Sequence, residues 1–315
     1  MANLIKTAVI GVGHLGRYHA QKYQALPSCE LVALADNRPD SHTQLVTEFN
    51  VPVYSDYREL FGKVDAVSIA APTLLHHSIA HNCLLNNLHV LVEKPITATL
   101  SEANELIELA QQKNLILQVG HLERFNPAFV RIREQTLEPR FIEAHRLAQF
   151  TVRGTDVNVI LDLMIHDIDL CCHLVDSPVN RIEASGASVL TDGIDIANAR
   201  LMFKNGCVAN LTASRISEKR ERKIRIFQRA SCLSADLQNN QLKVYKAKTA
   251  TLASEAGIHS ETVFLSSDDA IRSEICDFLA TIQDGKRPIV SGEEGRHALD
   301  IAMQISQKVS ESFAL

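Results

Sequence analysis

Short apolar runs alternate with amphipathic stretches through roughly the first 120 residues of the chain. The strand candidates are IKTAVI, ELVALAD, DAVSIAA, HVLVE and LILQVG. Helix-like stretches lie between them, among them HLGRYHAQKYQAL and SEANELIELAQQK, and Thr99 with Glu102 has the spacing of a capping box before the second. Apolar strands separated by helices are typical of a parallel sheet covered on both faces. The pattern predicts a doubly wound, Rossmann-like α/β domain.

The pattern changes after Gly120. A helix candidate, NPAFVRIREQ, is followed by FIEAHRLAQF, by an apolar helix and then by alternating strands, including ANARLMFKNGCVANLTASR with its Lys204-Asn205-Gly206 turn. Strands joined by short hairpins indicate an antiparallel sheet. Two more helices are expected at about 268–284 and 294–313. We therefore expect a Rossmann domain over residues 1–122 and, over 123–315, an α+β domain with a mainly antiparallel open sheet.

Composition narrows the class of protein. The chain has 315 residues, 46% of them hydrophobic, which is enough for about two globular domains. The net charge of -5 disfavours nucleic acid as a partner. No apolar run reaches the roughly 18 residues of a membrane span, and the N-terminal residues show no secretory signal pattern. The seven scattered cysteines form no CxxC pair, so we expect a cytoplasmic protein. From the charge and the apolar runs we expect it to bind neither nucleic acid nor membrane.

GVGHLG at 11–16 is a G-x-G-x-x-G that follows a predicted strand and opens a predicted helix. Gly11 permits a tight turn, Gly13 lets the backbone approach a pyrophosphate, and Gly16 allows helix and strand to pack closely. Asp36 ends the next strand 20 residues after Gly16, where it would bind the adenosine ribose and repel a 2′-phosphate. Arg38 could instead pair with that phosphate. The loop predicts a dinucleotide site that prefers NAD to NADP.

The stretch LDLMIHDIDL carries four polar residues in an apolar helix expected from about 157 to 175. The polar residues Asp162, His166, Asp169 and His173 fall at i, i+4, i+7 and i+11, on one face. A histidine with a carboxylate one turn away suits acid–base chemistry near neutral pH; the alternative is a core histidine in a satisfied buried network. We expect Asp169 and His173 to be structural. Spacing supplies no third metal ligand, here or for His77 with His81, so we expect no bound metal.

Four motifs together resemble the Gfo/Idh/MocA oxidoreductases, the glucose–fructose and inositol dehydrogenase superfamily. They are GVGHLGRYHA, APTLLHHSIA, HVLVEKP and the Asp162-x-x-x-His166 helix, in the family's order and over nearly the whole chain. The resemblance implies that Lys94, Asp162 and His166 match the catalytic residues. With the loop and Asp36 it gives the candidate NAD-binding residues Gly11, Gly13, His14, Leu15, Gly16, Asp36, Asn37, Arg38, Ala71, Pro72, Thr73, His76, Glu93 and Lys94.

Within the family, VGHLERFNPAF at 119–129 and VILDLMIHDIDL resemble the nucleotide-sugar oxidases, among them the bacterial UDP-N-acetylglucosamine 3-dehydrogenases. The glycine-rich run that many members carry before the catalytic aspartate is replaced here by DVNVIL. The candidate substrate-binding residues are His121, Arg124, Asn126, Arg153 and His166. The basic segment RISEKRERKIRIFQR at 215–229 is interpreted as a solvated hairpin edge, or as a source of arginines for a diphosphate.

These observations predict NAD-dependent oxidation of a secondary alcohol on a sugar ring, most specifically the 3-hydroxyl of UDP-N-acetylglucosamine or a related UDP-sugar. His166 is the expected general base, Lys94 the cation that stabilises the alkoxide, and Asp162 the orienting group; Lys94 as the base is the alternative. Other functions left open are an inositol or free-sugar dehydrogenase, an NAD-dependent glycoside hydrolase and a noncatalytic NAD-sensing regulator. The resemblance also implies a homodimer or homotetramer formed through the C-terminal sheet.

Overall fold

The structure is a computed structural model that describes residues 4–151, 157–247, 258–266 and 268–313. The chain forms two compact units: Met1–Leu122 with Asp269–Arg296, and Glu123–Asp268 with His297–Leu315. The sequence analysis assigned all residues after 122 to the second domain, whereas the structure places Asp269–Arg296 in the first unit. The reason is packing, because Ile275, Phe278 and Leu279 belong to the apolar core of the first unit.

The first unit is built on a six-stranded parallel sheet in the order β3-β2-β1-β4-β5-β6. The sheet strands are β1 Ile5–Ile10, β2 Cys29–Ala35, β3 Val53–Tyr54, β4 Ala66–Ile69, β5 His89–Glu93 and β6 Leu117–Gly120. The helices are α1 His14–Ala25, α2 Pro39–Phe49, α3 Thr73–Leu85, α4 Leu100–Lys113 and, later in the chain, α7 Ala270–Asp284. The doubly wound fold is confirmed, and so is the capping box at Thr99 and Glu102.

The second unit is built on an eight-stranded sheet in the order β14-β13-β12-β11-β7-β10-β9-β8. Its strands are β7 Pro139–Leu147, β8 Val179–Ala187, β9 Ile196–Phe203, β10 Val208–Ser214, β11 Glu221–Gln228, β12 Ser231–Asp236, β13 Gln241–Ala247 and β14 Ile258–Phe264. All neighbouring strands are antiparallel except β7 and β10, which confirms the mainly antiparallel sheet. Helices α5 Pro127–Gln135 and α6 Ile165–Val175 belong to this unit, and α8 spans Gly292–Phe313.

One interpretation of local sequence was wrong, and one predicted helix is present with a local irregularity. Strand β11, which carries most of the basic segment, is paired with β12 and β7 and is therefore not an edge of the sheet. The apolar helix is not regular throughout, because Ile160–Met164 is one turn of π-helix in which the Ile165 N–H donates to the Ile160 carbonyl. A π turn widens the helix locally and such turns are frequent at functional sites.

Among the residues described here, no helix has the length and apolar character needed to cross a membrane. All seven cysteines are free thiols.

Candidate active site

The glycine loop lies at the carboxyl end of β1. Gly11 has φ +83°, and a Cβ there would lie 2.8 Å from the Ala71 backbone nitrogen, so both its conformation and its surroundings require glycine. Gly13 is the N-cap of α1, and the space where its Cβ would project is open. The first amides of α1 therefore face a position that a phosphate can approach, as helix N-termini favour.

Asp36 follows β2 and is only 4% exposed. Its Oδ2 accepts the Val12 backbone N–H at 2.9 Å, and its carboxylate accepts three further hydrogen bonds from Arg38, from N, Nε and Nη2, at 2.9–3.0 Å. Burial opposes ionisation of Asp36, but the hydrogen bonds from Arg38 and Val12 outweigh it and lower the pKa. Asp36 is thus a fixed anion, and the Arg38 side chain, 60% exposed, lies over it.

These groups border a cleft of about 760 Å³ within the first unit. The cleft is lined by Ile10, Gly11, Gly13, Ala35, Asp36, Asn37, Arg38, Ser55, Asp56, Tyr57, Arg58, Ala70, Ala71, Pro72, Leu75, Ser78 and Ile79. Seven of the candidate NAD-binding residues are therefore together here. The cleft lies at the carboxyl ends of β1, β2 and β4, where open parallel sheets bind nucleotides. Sequence analysis missed Tyr57 and Arg58, which lie on a short 3₁₀ helix at 57–60 without any motif of their own.

The EKP tripeptide ends β5, with Glu93 buried, Lys94 half-buried and a cis peptide bond before Pro95. His76 on α3 lies next to this turn, and its two ring nitrogens are each 2.8 Å from a carbonyl oxygen, those of Pro95 and Ala71. Burial lowers the pKa of His76, against those two hydrogen bonds. His76 therefore ties the loop after β4 to the turn after β5.

In the second unit, His166 is 8% exposed in the first turn of α6 and Asp162 is half-buried on the π turn before it. Asn158 caps this segment, since its Oδ1 accepts the N–H groups of Ile160 and Leu161. The carboxylate and the imidazole are thus both carried by a helix whose start is fixed by a side-chain cap.

The other charges of LDLMIHDIDL are paired with arginines. Asp169 accepts two hydrogen bonds from Arg124, at 2.6 and 2.8 Å, and Asp167 accepts from Arg146 at 2.8 Å. Arg146 also donates to Glu123 at 2.8 Å, and all five side chains are buried. Burial raises the pKa of Asp167, which Arg146 opposes. Two ion pairs therefore fix α6 in the turn that begins at His166.

Sequence analysis missed Arg146 and Glu123 as members of this network. One signal was available for Arg146, because Ile142, Ala144 and Arg146 alternate on the buried face of β7. An arginine in such a row requires a buried acid nearby.

The remaining substrate candidates have contacts of their own. Arg124 holds Asp169, and Asn126 caps α5 through its Oδ1 while its Nδ2 donates to the Leu237 carbonyl at 2.8 Å. His121 is buried, and Arg153 lies outside the described residues. A substrate contact by any of them stays a prediction.

The basic segment is partly committed to internal contacts. Arg215 is buried and donates to the Val157 carbonyl at 2.7 Å, while Arg225 pairs with Glu143 at 2.8 Å. Arg222, half exposed, is 3.4 Å from Glu123. Lys219, Arg220 and Arg229 are exposed.

Two family models match the chain. The oxidoreductase family with an NAD-binding Rossmann fold matches residues 5–121, and the GFO/IDH/MocA C-terminal domain matches residues 131–231. The sequence is 38% identical to UDP-N-acetylglucosamine 3-dehydrogenase of Acidithiobacillus ferrooxidans over 302 residues, which cover 96% of each chain. It is 26% identical to myo-inositol 2-dehydrogenase of Thermotoga maritima, over 98% of this chain and 97% of the other.

Solved structures agree. A structure of the Acidithiobacillus ferrooxidans enzyme superimposes with a TM-score of 0.91 over 98% of both chains at 38% identity. Levoglucosan dehydrogenase in complex with NADH superimposes with a TM-score of 0.87 over 98% of both chains; at 18% identity this likeness shows a common fold.

Proposed function

Because this chain belongs to the NAD-binding Gfo/Idh/MocA oxidoreductases and is an NAD-dependent enzyme acting on sugar hydroxyls, we propose that its substrate is UDP-N-acetylglucosamine, oxidised at the 3-hydroxyl. The observation that carries the proposal is the 38% identity to a UDP-N-acetylglucosamine 3-dehydrogenase over 96% of the chain, which spans both units. The inositol dehydrogenases match at lower identity.

The cleft of the first unit fits NAD chemically. The amides at the start of α1 suit the pyrophosphate, the open space over Gly13 lets it approach, and the Asp36 carboxylate suits the adenosine ribose hydroxyls. NAD bound there supplies a hydride acceptor. The protein must then position the alcohol and remove its proton.

We assign the proton transfer to His166, with Asp162 as the group that orients the imidazole or the substrate. The support is local: the capped π turn carries Asp162 directly before His166, and the Arg124 and Arg146 ion pairs fix α6. Lys94 is proposed to stabilise the alkoxide as the proton leaves. Lys94 as the base itself is the alternative assignment.

The proposed substrate brings binding energy from a part of the molecule that does not react. A diphosphate held by exposed basic residues, such as those of the 215–229 segment, can position the ring alcohol and so raise kcat as well as lower KM. Free N-acetylglucosamine lacks the diphosphate. We therefore predict that its kcat/KM is at least about 10²-fold lower than that of the UDP-sugar.

NADH absorbance during incubation with NAD and one candidate alcohol tests the proposal. UDP-N-acetylglucosamine, free N-acetylglucosamine, myo-inositol and UDP-glucose are compared over the same range of concentrations, and added salt should raise KM for the UDP-sugars alone. A higher kcat/KM for inositol or the free sugar would refute the nucleotide-sugar assignment. Release of free sugar without net NADH would indicate the glycoside hydrolase instead.

Assembly and location belong to the same proposal. We propose a homodimer or homotetramer formed through the eight-stranded sheet. On the face of this sheet opposite to the buried residues of β7 and β11, Phe141 and Phe227 are half-buried and in edge contact, with their ring centroids 6.0 Å apart. Light scattering on the purified chain measures the mass of the assembly. The free thiols support a cytoplasmic location, which cell fractionation tests.

A further inference from the structure

A cluster of three titratable side chains is buried in the first unit, beneath the EKP turn. His19 on α1, Glu93 at the end of β5 and Glu274 on α7 each offer a polar atom within 4.8 Å of the others, and all three are buried. Of the three, only Glu93, the first residue of EKP, is among the candidate site residues of the sequence analysis.

Two of the three are joined in a hydrogen-bonded chain. His19 Nε2 lies 3.1 Å from Glu93 Oε1, and His19 Nδ1 lies 3.1 Å from Ser68 Oγ, which is 2.7 Å from the Tyr23 hydroxyl. The other Glu93 oxygen accepts the Lys94 backbone N–H at 3.3 Å. Glu93 is thus fixed between His19 and the backbone of Lys94.

Glu274 is different. It is 0% exposed, and neither of its carboxylate oxygens accepts a hydrogen bond from the described residues. The titratable groups around it are His19 and Tyr23 on α1, Glu93 on β5 and Asp277 on its own helix. An ionised Glu274 would face a second carboxylate with no donor of its own, which is the arrangement that buried carboxyl groups avoid.

We propose that Glu274 stays protonated at neutral pH and donates its proton to Glu93, so that it acts as a positioning residue for the Glu93–Lys94 strand end. A proton on Glu274 removes the repulsion between the two carboxyl groups, and it makes Glu274 a hydrogen-bond donor with the Glu93 carboxylate as its acceptor. Burial raises the pKa of Glu274, and the charge of Glu93 raises it further. The influence on Lys94 runs through the Glu93 carboxylate, and this part rests on the proposed function.

A divalent cation held by the same three groups is the competing explanation, since His and Glu are metal ligands. The 3.1 Å separation of His19 Nε2 and Glu93 Oε1 is an ordinary hydrogen-bonding distance, so this contact is accounted for without an ion. The two explanations predict opposite results for Glu274→Gln. An amide can still donate to Glu93, but it is a poor replacement for an anionic metal ligand.

The first test measures urea unfolding of the wild type and of Glu274→Gln between about pH 5 and pH 8. A carboxyl group whose folded pKa is raised stabilises the fold below its unfolded pKa of about 4.3, and this contribution is lost as pH rises toward the folded value. The unfolding constant of the wild type should therefore rise relative to Glu274→Gln by up to about tenfold per pH unit. Glu108→Gln, at an exposed position on α4, should follow the wild type. Parallel pH profiles for the wild type and Glu274→Gln would overturn the proposal.

The second test separates the effect of the Glu274 hydrogen-bond donor from the effect of the size of its side chain. Glu274→Met keeps the length of the side chain but removes the donor, and should lower kcat by about tenfold with KM little changed; Glu274→Gln should restore kcat. Equal losses in both variants would overturn the positioning role.

Elemental analysis should find less than about 0.1 equivalent of zinc or manganese per chain. A full equivalent in the wild type that Glu274→Gln loses would assign a metal site instead. Because the unfolding test needs no substrate, failure of the proposed function leaves its result intact.

Discussion

Replacing Asp36 by alanine should narrow the preference of the enzyme for NAD over NADP. The Asp36 carboxylate is buried and accepts four hydrogen bonds, three of them from Arg38, so it is a fixed anion at the end of β2. In the wild type it would accept the ribose hydroxyls of NAD and repel the 2′-phosphate of NADP. Its removal releases the exposed Arg38 guanidinium for that phosphate.

The size of the change follows from the contacts that are lost. Hydrogen bonds to a charged group contribute about 1.5–3 kcal/mol, so NAD affinity should fall roughly 10- to 150-fold. NADP loses no such contact and gains a guanidinium partner. The ratio of the two dissociation constants should therefore shift toward NADP by at least about tenfold.

Isothermal titration calorimetry of both cofactors measures this ratio directly. Asp56→Ala is the matched control, because Asp56 and Arg58 repeat the same aspartate–arginine contact on the rim of the same cleft, with the Asp56 side chain 40% exposed. We expect Asp56→Ala to leave the ratio within about twofold of the wild type. An unchanged ratio in Asp36→Ala, or an equal shift in Asp56→Ala, would refute this account of cofactor selection.

Three further predictions follow from the described contacts. Lys94→Ala and His166→Ala should each lower kcat by roughly 10²-fold and leave the NAD dissociation constant nearly unchanged, since both residues act on the transferred proton. Stopped-flow kinetics measure the hydride transfer and calorimetry measures the NAD dissociation constant. Normal hydride transfer in both variants would remove these residues from the mechanism. Arg146→Met should destabilise the protein by about 3–5 kcal/mol in urea unfolding, because it removes the hydrogen-bonded cation of buried Asp167 and leaves buried Glu123 with only the half-exposed Arg222. Arg181→Met at an exposed pair should have little effect, and equal midpoints would contradict this. Gly11→Ala should destabilise by about 1–3 kcal/mol and weaken NAD binding, because alanine is strained at φ +83°, and unchanged calorimetric binding would argue against it.

The parts of the fold that local sequence determines were predictable. The strand IKTAVI and the helix beginning at His14 agree with β1 and α1, because buried parallel strands are continuously apolar and the glycine loop requires a helix to follow. The assignment of Asp269–Arg296 to the first unit was not predictable in the same way. An amphipathic helix shows that it has an apolar face, but not which of two cores covers that face.

Some features of the candidate site were likewise predictable from local sequence, and others were not. The sequence explained why Asp162 and His166 share a helix, but it did not supply the partners of Asp167 and Asp169. Those partners, Arg146 and Arg124, are 21 and 45 residues away along the chain, and no local pattern joins them. Glu274 was missed for the same reason, since its helix is ordinary in sequence and only the fold brings it to Glu93.

Transfer of deuterium from a defined ring carbon tests the central claim most directly. UDP-N-acetylglucosamine labelled with deuterium at C3 is incubated with the enzyme and NAD, and the NADH formed is analysed by mass spectrometry, with substrate labelled at C4 as the control. We predict NADH one mass unit heavier from the C3-labelled sugar, a slowed hydride transfer with that substrate alone, and unlabelled NADH from the C4-labelled sugar. Labelled NADH from the C4 substrate, or no NADH from either, would contradict oxidation at the 3-hydroxyl.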